Sequence, residues 1–155
     1  MSEDIVSPLR YNLVEYYGYG VDKDTGDIYS CKRSGTWKKR KTCVSGKSPY
    51  PHCNITKAKN VTKSIVQHIA VHETLKPDLP IPEGVSERVW NQTHQSVKKL
   101  MRKIWQVNHK DHDHRNYKPD NLEWTTGQEN VNKYQQHRLK TDVAVVGIAP
   151  TTFSL

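Results

Sequence analysis

Apolar positions in this chain keep two different rhythms. From Ser86 onward Val89, Thr93, Val97, Leu100, Met101 and Ile104 recur at helical intervals, a single stripe that predicts a helix from Ser86, its N-cap, to about Trp105. Ile65, Ile69 and Leu75, with Val66 beside them, predict a second helix over Lys63–Leu75 that packs across a sheet. Between Tyr16 and Thr62 the rhythm changes. Short runs such as YGYGV, DIYSC and HCNIT alternate with the turn signals DKDTGD, SGT and SGKSPYP, which predicts a β-rich segment. Lys76–Gly84, KPDLPIPEG, reads as a proline-broken linker. Beyond Trp105 come a short apolar run around Val107, a long polar loop and a returning NLEW segment at Asn121–Trp124. A helix opens near Thr126 and runs to about Arg138, with Val131 and Tyr134 expected to face Leu122 and Trp124.

These elements predict an α+β protein of 155 residues, one domain or two small modules sharing a modest core. The expected divisions are a basic β-rich module with its packing helix over 1–75, the linker over 76–85, a basic helix with a β-hairpin and helix over 86–140, and an apolar tail over 141–155. The tail, DVAVVGIAPTTFSL from Asp142, suits an edge strand, self-association or no fixed structure, and the choice stays open.

Charge sharpens this division. The net charge is +8, and from Ile28 to His72 there are ten Lys or Arg and no Asp or Glu. The remainder, fourteen basic against sixteen acidic residues, sums to −2. Such polarisation predicts a surface that tracks a polyanion. In the first module Lys32, Arg33, Lys38, Lys39, Arg40 and Lys41 interleave with Trp37, a mixture suited to a sheet lying on a nucleic-acid backbone. Lys98, Lys99, Arg102 and Lys103 lie largely off the apolar stripe of the 86–105 helix and are expected to be available to phosphates.

Cys31, Cys43 and Cys53 are odd in number and form no C-x-x-C pair, which predicts reduced thiols rather than a disulfide framework. Their spacings are too wide for a usual zinc knuckle, even with His52. Met1–Pro8 is acidic and polar, unlike a signal peptide, and no apolar run approaches the ~20 residues of a membrane span. His68 and His72 are four apart but lack the intervening Glu of an H-E-x-x-H site, so packing or solvent roles are expected for them. Asp111, His112, Asp113 and His114 are too close in sequence to converge readily on one ion, and with Asn116 and Pro119 they read as a polar hairpin connection.

The most informative stretch is VNHKDHDHRNYKPDNLEWTTGQENVNKY, Val107–Tyr134. Its series His109, Asn121, Asn130, with the flanking apolar and Trp positions, resembles the HNH endonuclease family, whose site is a β-hairpin and one helix holding a divalent metal. A looser similarity covers Tyr16–His72. There VDKDTGDIYS resembles the small module preceding the site in phage-type homing endonucleases, and QHIAV partly matches the helix that follows it.

The resemblance implies that His109 is the general base, that Asn121 braces the hairpin loop and orients His109, and that Asn108 and Asn130 are metal ligands. Many family members carry Asp where this chain has Asn108, which removes one negative charge from the metal shell. Histidine suits the removal of a proton from attacking water near neutral pH, and an oxygen-bound divalent ion suits the negative charge that develops at phosphorus. Thr126-x-x-Glu129 has the form of a capping box and places Asn130 in a first helical turn, close to the positive end of the helix dipole. The implied activity is cleavage of double-stranded DNA with one Mg²⁺ or Mn²⁺ ion, by a phage or mobile-element nuclease in the cytoplasm of a bacterial host. Nicking and double-strand cleavage, monomer and homodimer all stay open. The alternatives are a nuclease of genome processing or restriction with low sequence preference, an inactive DNA-binding protein, and a zinc-stabilised interaction module.

Overall fold

A computed structural model of the chain describes residues 4–146. Eleven short strands and four helices follow one another along these residues. The chain begins with β1 (Ile5–Val6), β2 (Leu9–Tyr11), β3 (Val14–Tyr16), β4 (Tyr19–Asp22), β5 (Ile28–Cys31), β6 (Trp37–Lys39) and β7 (Thr42–Cys43). It continues through β8 (His52–Ala58), β9 (Val61–Val66), α1 (Gln67–Leu75), α2 (Glu87–Gln92) and α3 (Gln95–Met101). Last come β10 (Trp105–His109), β11 (Leu122–Thr126) and α4 (Gly127–Val146). The class is α+β, as the patterning predicts.

All strand pairs are antiparallel. β1-β4-β5-β6 form one sheet, β7-β8-β9 a second, and β2-β3 and β10-β11 are two-stranded. The alternating inward positions of the first two sheets, among them Val21, Ile28, Cys53, Ile55 and Ile65, are buried to 1% exposure or less. They form one core with Leu9, Tyr16, Ala70 and Val71, and that core also takes in Val107 of β10 and Leu122 of β11. The β-rich part and the hairpin therefore share their interior. The turn at Gly26 marks how closely they meet. Its φ of +74° is open to glycine, and a Cβ there would lie 2.6 Å from the Tyr117 carbonyl oxygen of the hairpin loop.

Two predicted helices are corrected. Lys63–Val66 continues strand β9, and the helix begins only at Gln67. β-branched Val61, Thr62, Ile65 and Val66 extend the pairing with β8, and the backbone turns where Gln67 N–H reaches the Pro51 carbonyl. The 86–105 stripe does not form one helix. Ser86 caps α2, but the chain breaks at Thr93 and His94, where His94 Nδ1 accepts from Ser96 N–H and caps α3. Trp105 already belongs to β10. Thr93 explains part of the break, because its hydroxyl donates to the Val89 carbonyl within the last turn of α2. The stripe is also not a core face: Val89, Val97, Leu100 and Ile104 are all exposed. Finally, α4 runs past Arg138 to Val146, so the first residues of the expected tail are helical; the rest of the tail lies outside the described residues.

Candidate active site

β10 and β11 pair in the register Trp105↔Thr126, Asn108↔Glu123 and His109↔Leu122. Lys110 N–H donates to the Asn121 carbonyl and closes the ladder directly after His109. The loop between the strands is stitched by Asn121. Its amide nitrogen donates to Asp111 Oδ1 and to the Asn116 carbonyl, both at 2.8 Å, and its oxygen accepts from Asp111 N–H at 3.1 Å. Asp111 also accepts from Asn116 Nδ2 and Asp113 N–H. The acidic loop residues thus tie the loop to itself. Among the described residues no group of three or more His, Cys, Asp or Glu could hold a metal ion.

The capping box forms as the sequence predicts: Glu129 N–H donates to Thr126 Oγ1 at 3.2 Å, and Thr126 N–H to Glu129 Oε2 at 2.9 Å. It starts α4 against the end of β11, so Asn130 sits in the first turn beside the hairpin. Asn130 Nδ2 donates to Gln106 Oε1 at 3.1 Å. Asn108, Asn130 and His109 all line one open cleft, together with Tyr50, Val131 and Tyr134. Val131 and Tyr134 are exposed there instead of packing on Leu122 and Trp124. Leu122 is already committed to the shared core, and Trp124 packs edge-on against His72.

His109 is only 3% exposed. Its ring lies 4.5 Å from His68 of α1, 5.8 Å from His114 and 6.0 Å, nearly parallel, from Tyr50. Burial pushes its pKa below the usual range, and nearby His114 adds to this while Asp111 and Asp113 oppose it. His109 is therefore neutral at pH 7 and can accept a proton. Its Nε2 is shut off from solvent without a partner, whereas Nδ1 is not sealed in this way.

Asn108 donates its amide nitrogen to Glu123 Oε1 at 3.0 Å, and Lys133 of α4 donates to the same oxygen at 2.7 Å. Burial pushes the Glu123 carboxyl up, but the bonds from Lys133 and Asn108 outweigh it and hold the group below the usual carboxylate range. A carboxylate can only accept, so the Asn108 amide has its nitrogen toward Glu123 and its oxygen turned away. The donor set, two amide oxygens on one cleft, fits a hard divalent ion bound loosely and completed by water and phosphate.

The predicted DNA contacts are placed unequally. Lys32, Arg33, Lys38 and Lys41 are exposed on and beside β6, with Trp37 half-buried. Lys39 is ion-paired to Asp27 at 2.6 Å, and Arg40 donates to the Asn54 carbonyl. Lys99 and Lys103 are exposed, and Lys98 lies over the Trp90 ring. Arg102 is turned inward, which corrects the expectation that it faces solvent. Its guanidinium pairs with buried Glu73 at 2.6 Å, donates to the Trp105 carbonyl and stacks over Trp124. Tyr50, His68 and Glu123 escape a reading of the sequence. Only Glu123 leaves a trace there, since fixing the hairpin register would place it opposite Asn108.

Residues 80–132 match the family model described as HNH endonuclease. That segment includes α2, α3, the hairpin and the first turn of α4. The fold is similar to a solved structure of the HNH homing endonuclease I-HmuI, from work on its DNA binding and cleavage, with a TM-score of 0.52 and 22% identity over 85% of this chain. The similarity spans 64% of that protein, less than two thirds of its length. No curated protein sequence matches the chain. Residues 80–132 are thus similar to the HNH endonuclease family, and His109, Asn121 and Asn130 stand on a β-hairpin and helix inside that matched segment.

Proposed function

We propose that this protein is a divalent-metal-dependent endonuclease that hydrolyses phosphodiester bonds of double-stranded DNA, of the homing type carried by phages or mobile elements. The observation that carries the reading is the cleft where neutral His109 stands beside the amides of Asn108 and Asn130. Nδ1 of His109 takes a proton from the water whose oxygen attacks phosphorus, and the 3′-oxygen leaves. A Mg²⁺ or Mn²⁺ ion held by Asn108 and Asn130 would supply positive charge beside the phosphoryl and leaving oxygens. The positive end of the α4 dipole favours a phosphate close to Asn130. Asn121 keeps the loop closed behind His109, and Arg138, on the same cleft, is within reach of a neighbouring phosphate. Exposed Lys32, Arg33, Lys38 and Lys41, with Lys99 and Lys103, would track the backbone, positioning DNA without reading bases.

The test is incubation of supercoiled plasmid with the protein and Mg²⁺ or Mn²⁺. Nicked or linear product is expected, lowered about 10²–10⁴-fold by His109→Ala with DNA affinity retained. A wild-type rate in His109→Ala would remove this base from the mechanism. Asn108 in place of the Asp common at that position favours one second reading, an inactive DNA-binding protein, for which plasmid would be bound but stay intact with either ion.

A further inference from the structure

An amide is a poorer ligand for a hard cation than a carboxylate, because it carries no net charge. Asn108 therefore raises the question of what replaces the charge of an Asp. Its amide nitrogen donates to Glu123, its directly opposite partner across the hairpin, at 3.0 Å. That bond does two things. It fixes which end of the amide faces the cleft, since only the nitrogen can bond a carboxylate. It also draws the amide N–H toward a full negative charge, which shifts electron density onto Oδ1, the atom turned away. Among the described residues no hydrogen bond ends on that oxygen, and it is not sealed from solvent. Glu123 is itself held at 2.7 Å by Lys133, which stands three residues after Asn130 on α4. The hairpin and the helix are thereby joined through the group that orients the amide.

We propose that Glu123 is a positioning residue that turns Asn108 Oδ1 toward the divalent ion and supplies, one hydrogen bond further out, the negative charge that Asn108 lacks. The inference rests on the reading of Asn108 and Asn130 as metal ligands. Groups in this outer position commonly change metal affinity by about 10–100-fold. Lys133 offsets part of the Glu123 charge, so the site keeps a modest affinity for the ion until DNA phosphate arrives.

The test measures Mn²⁺ binding to the full chain without DNA, by electron paramagnetic resonance of free Mn²⁺, a readout independent of cleavage. Glu123→Gln keeps the shape and an acceptor but removes the charge, and is expected to weaken Mn²⁺ binding about tenfold or more. With Asn108→Asp already in place the ligand carries its own charge. The same Glu123→Gln change is then expected to cost less than about threefold, the non-additivity of groups acting through one another. Lys133→Met breaks the tie to α4 but keeps the carboxylate, and is expected to leave affinity within about threefold or raise it. An equal loss from Glu123→Gln in both backgrounds, or an equal loss from Lys133→Met, would make Glu123 a structural strut and overturn the proposal. So would an unchanged affinity in Glu123→Gln when Asn108→Ala and Asn130→Ala both lose the ion. If those two Ala variants bind Mn²⁺ like the wild type, the metal assignment itself falls and the role of Glu123 with it.

Discussion

Helices α1 and α3 invert the usual relation between pattern and burial. α1 is rich in polar groups, QHIAVHETL, yet seven of its nine residues are buried. α3 and the residues around it carry a clean apolar stripe, yet none of the α3 residues is buried and Leu100 is 64% exposed. The difference lies in what each helix finds to bond. Gln67 accepts from Thr42 Oγ1 and donates to the Gly26 carbonyl, linking the two larger sheets. Glu73 holds Arg102 and the Leu13 N–H, and Thr74 accepts from Arg10 N–H. Gln67, Glu73 and Thr74 thus each have fixed partners that offset their loss of water, while His68 Nδ1 and His72 Nε2 are buried without one. α1 can therefore sit between the sheets and the hairpin and place His68 against His109. α3 faces no such set of partners, and its stripe stays outside.

The two helices should respond oppositely to perturbation, and the largest effect should come from acid. Burial, with His109, His114, His52 and His72 around it, pushes the pKa of His68 down to about 3. Burial and the charges of Lys76, Lys110 and Arg102, against Glu123, push His72 down to about 4. Tyr50 also packs on His68 but carries no charge at these pH values. Both histidines are kept neutral by the fold, while the unfolded chain takes up protons near pH 6.5. Their stability is fully present above pH 6.5 and is lost as pH falls toward 4, at about 1.4 kcal/mol per pH unit for each. Denaturant melts from pH 7 to 4.5 should show this fall, and His68→Phe should flatten it. A pH-independent midpoint would mean that α1 opens to water.

Next in size is the buried ion pair. Arg102→Met should destabilise by about 3–5 kcal/mol, because it strands the Glu73 carboxylate in the core. Urea unfolding measures this, and a loss below about 1 kcal/mol would mean that Glu73 is hydrated. Gln67→Leu should cost about 1–3 kcal/mol, through the Gly26 carbonyl and Thr42 hydroxyl left unpaired. At the other extreme, Leu100→Gln should change stability by no more than about 0.5 kcal/mol. A loss above about 1 kcal/mol in the same assay would show that the α3 stripe is covered in solution and would erase the contrast between the helices.

The line-up of His109, Asn121 and Asn130 and the Thr126–Glu129 capping box was legible in the sequence. These depend on local spacing, and a tight hairpin followed directly by a helix leaves the chain little freedom to rearrange it. The β-rich character of the basic region was legible for the same reason. Tertiary structure decided the rest. It cut the 86–105 stripe at His94, because a cap can end a helix wherever the periodicity runs. It turned Arg102 inward, because a cation follows the nearest buried carboxylate rather than its position on a helical wheel. It brought Tyr50 and His68 to His109 from segments roughly forty to sixty residues away. Burial of polar groups depends on partners distant in sequence, and those partners are known only once the chain has folded around them.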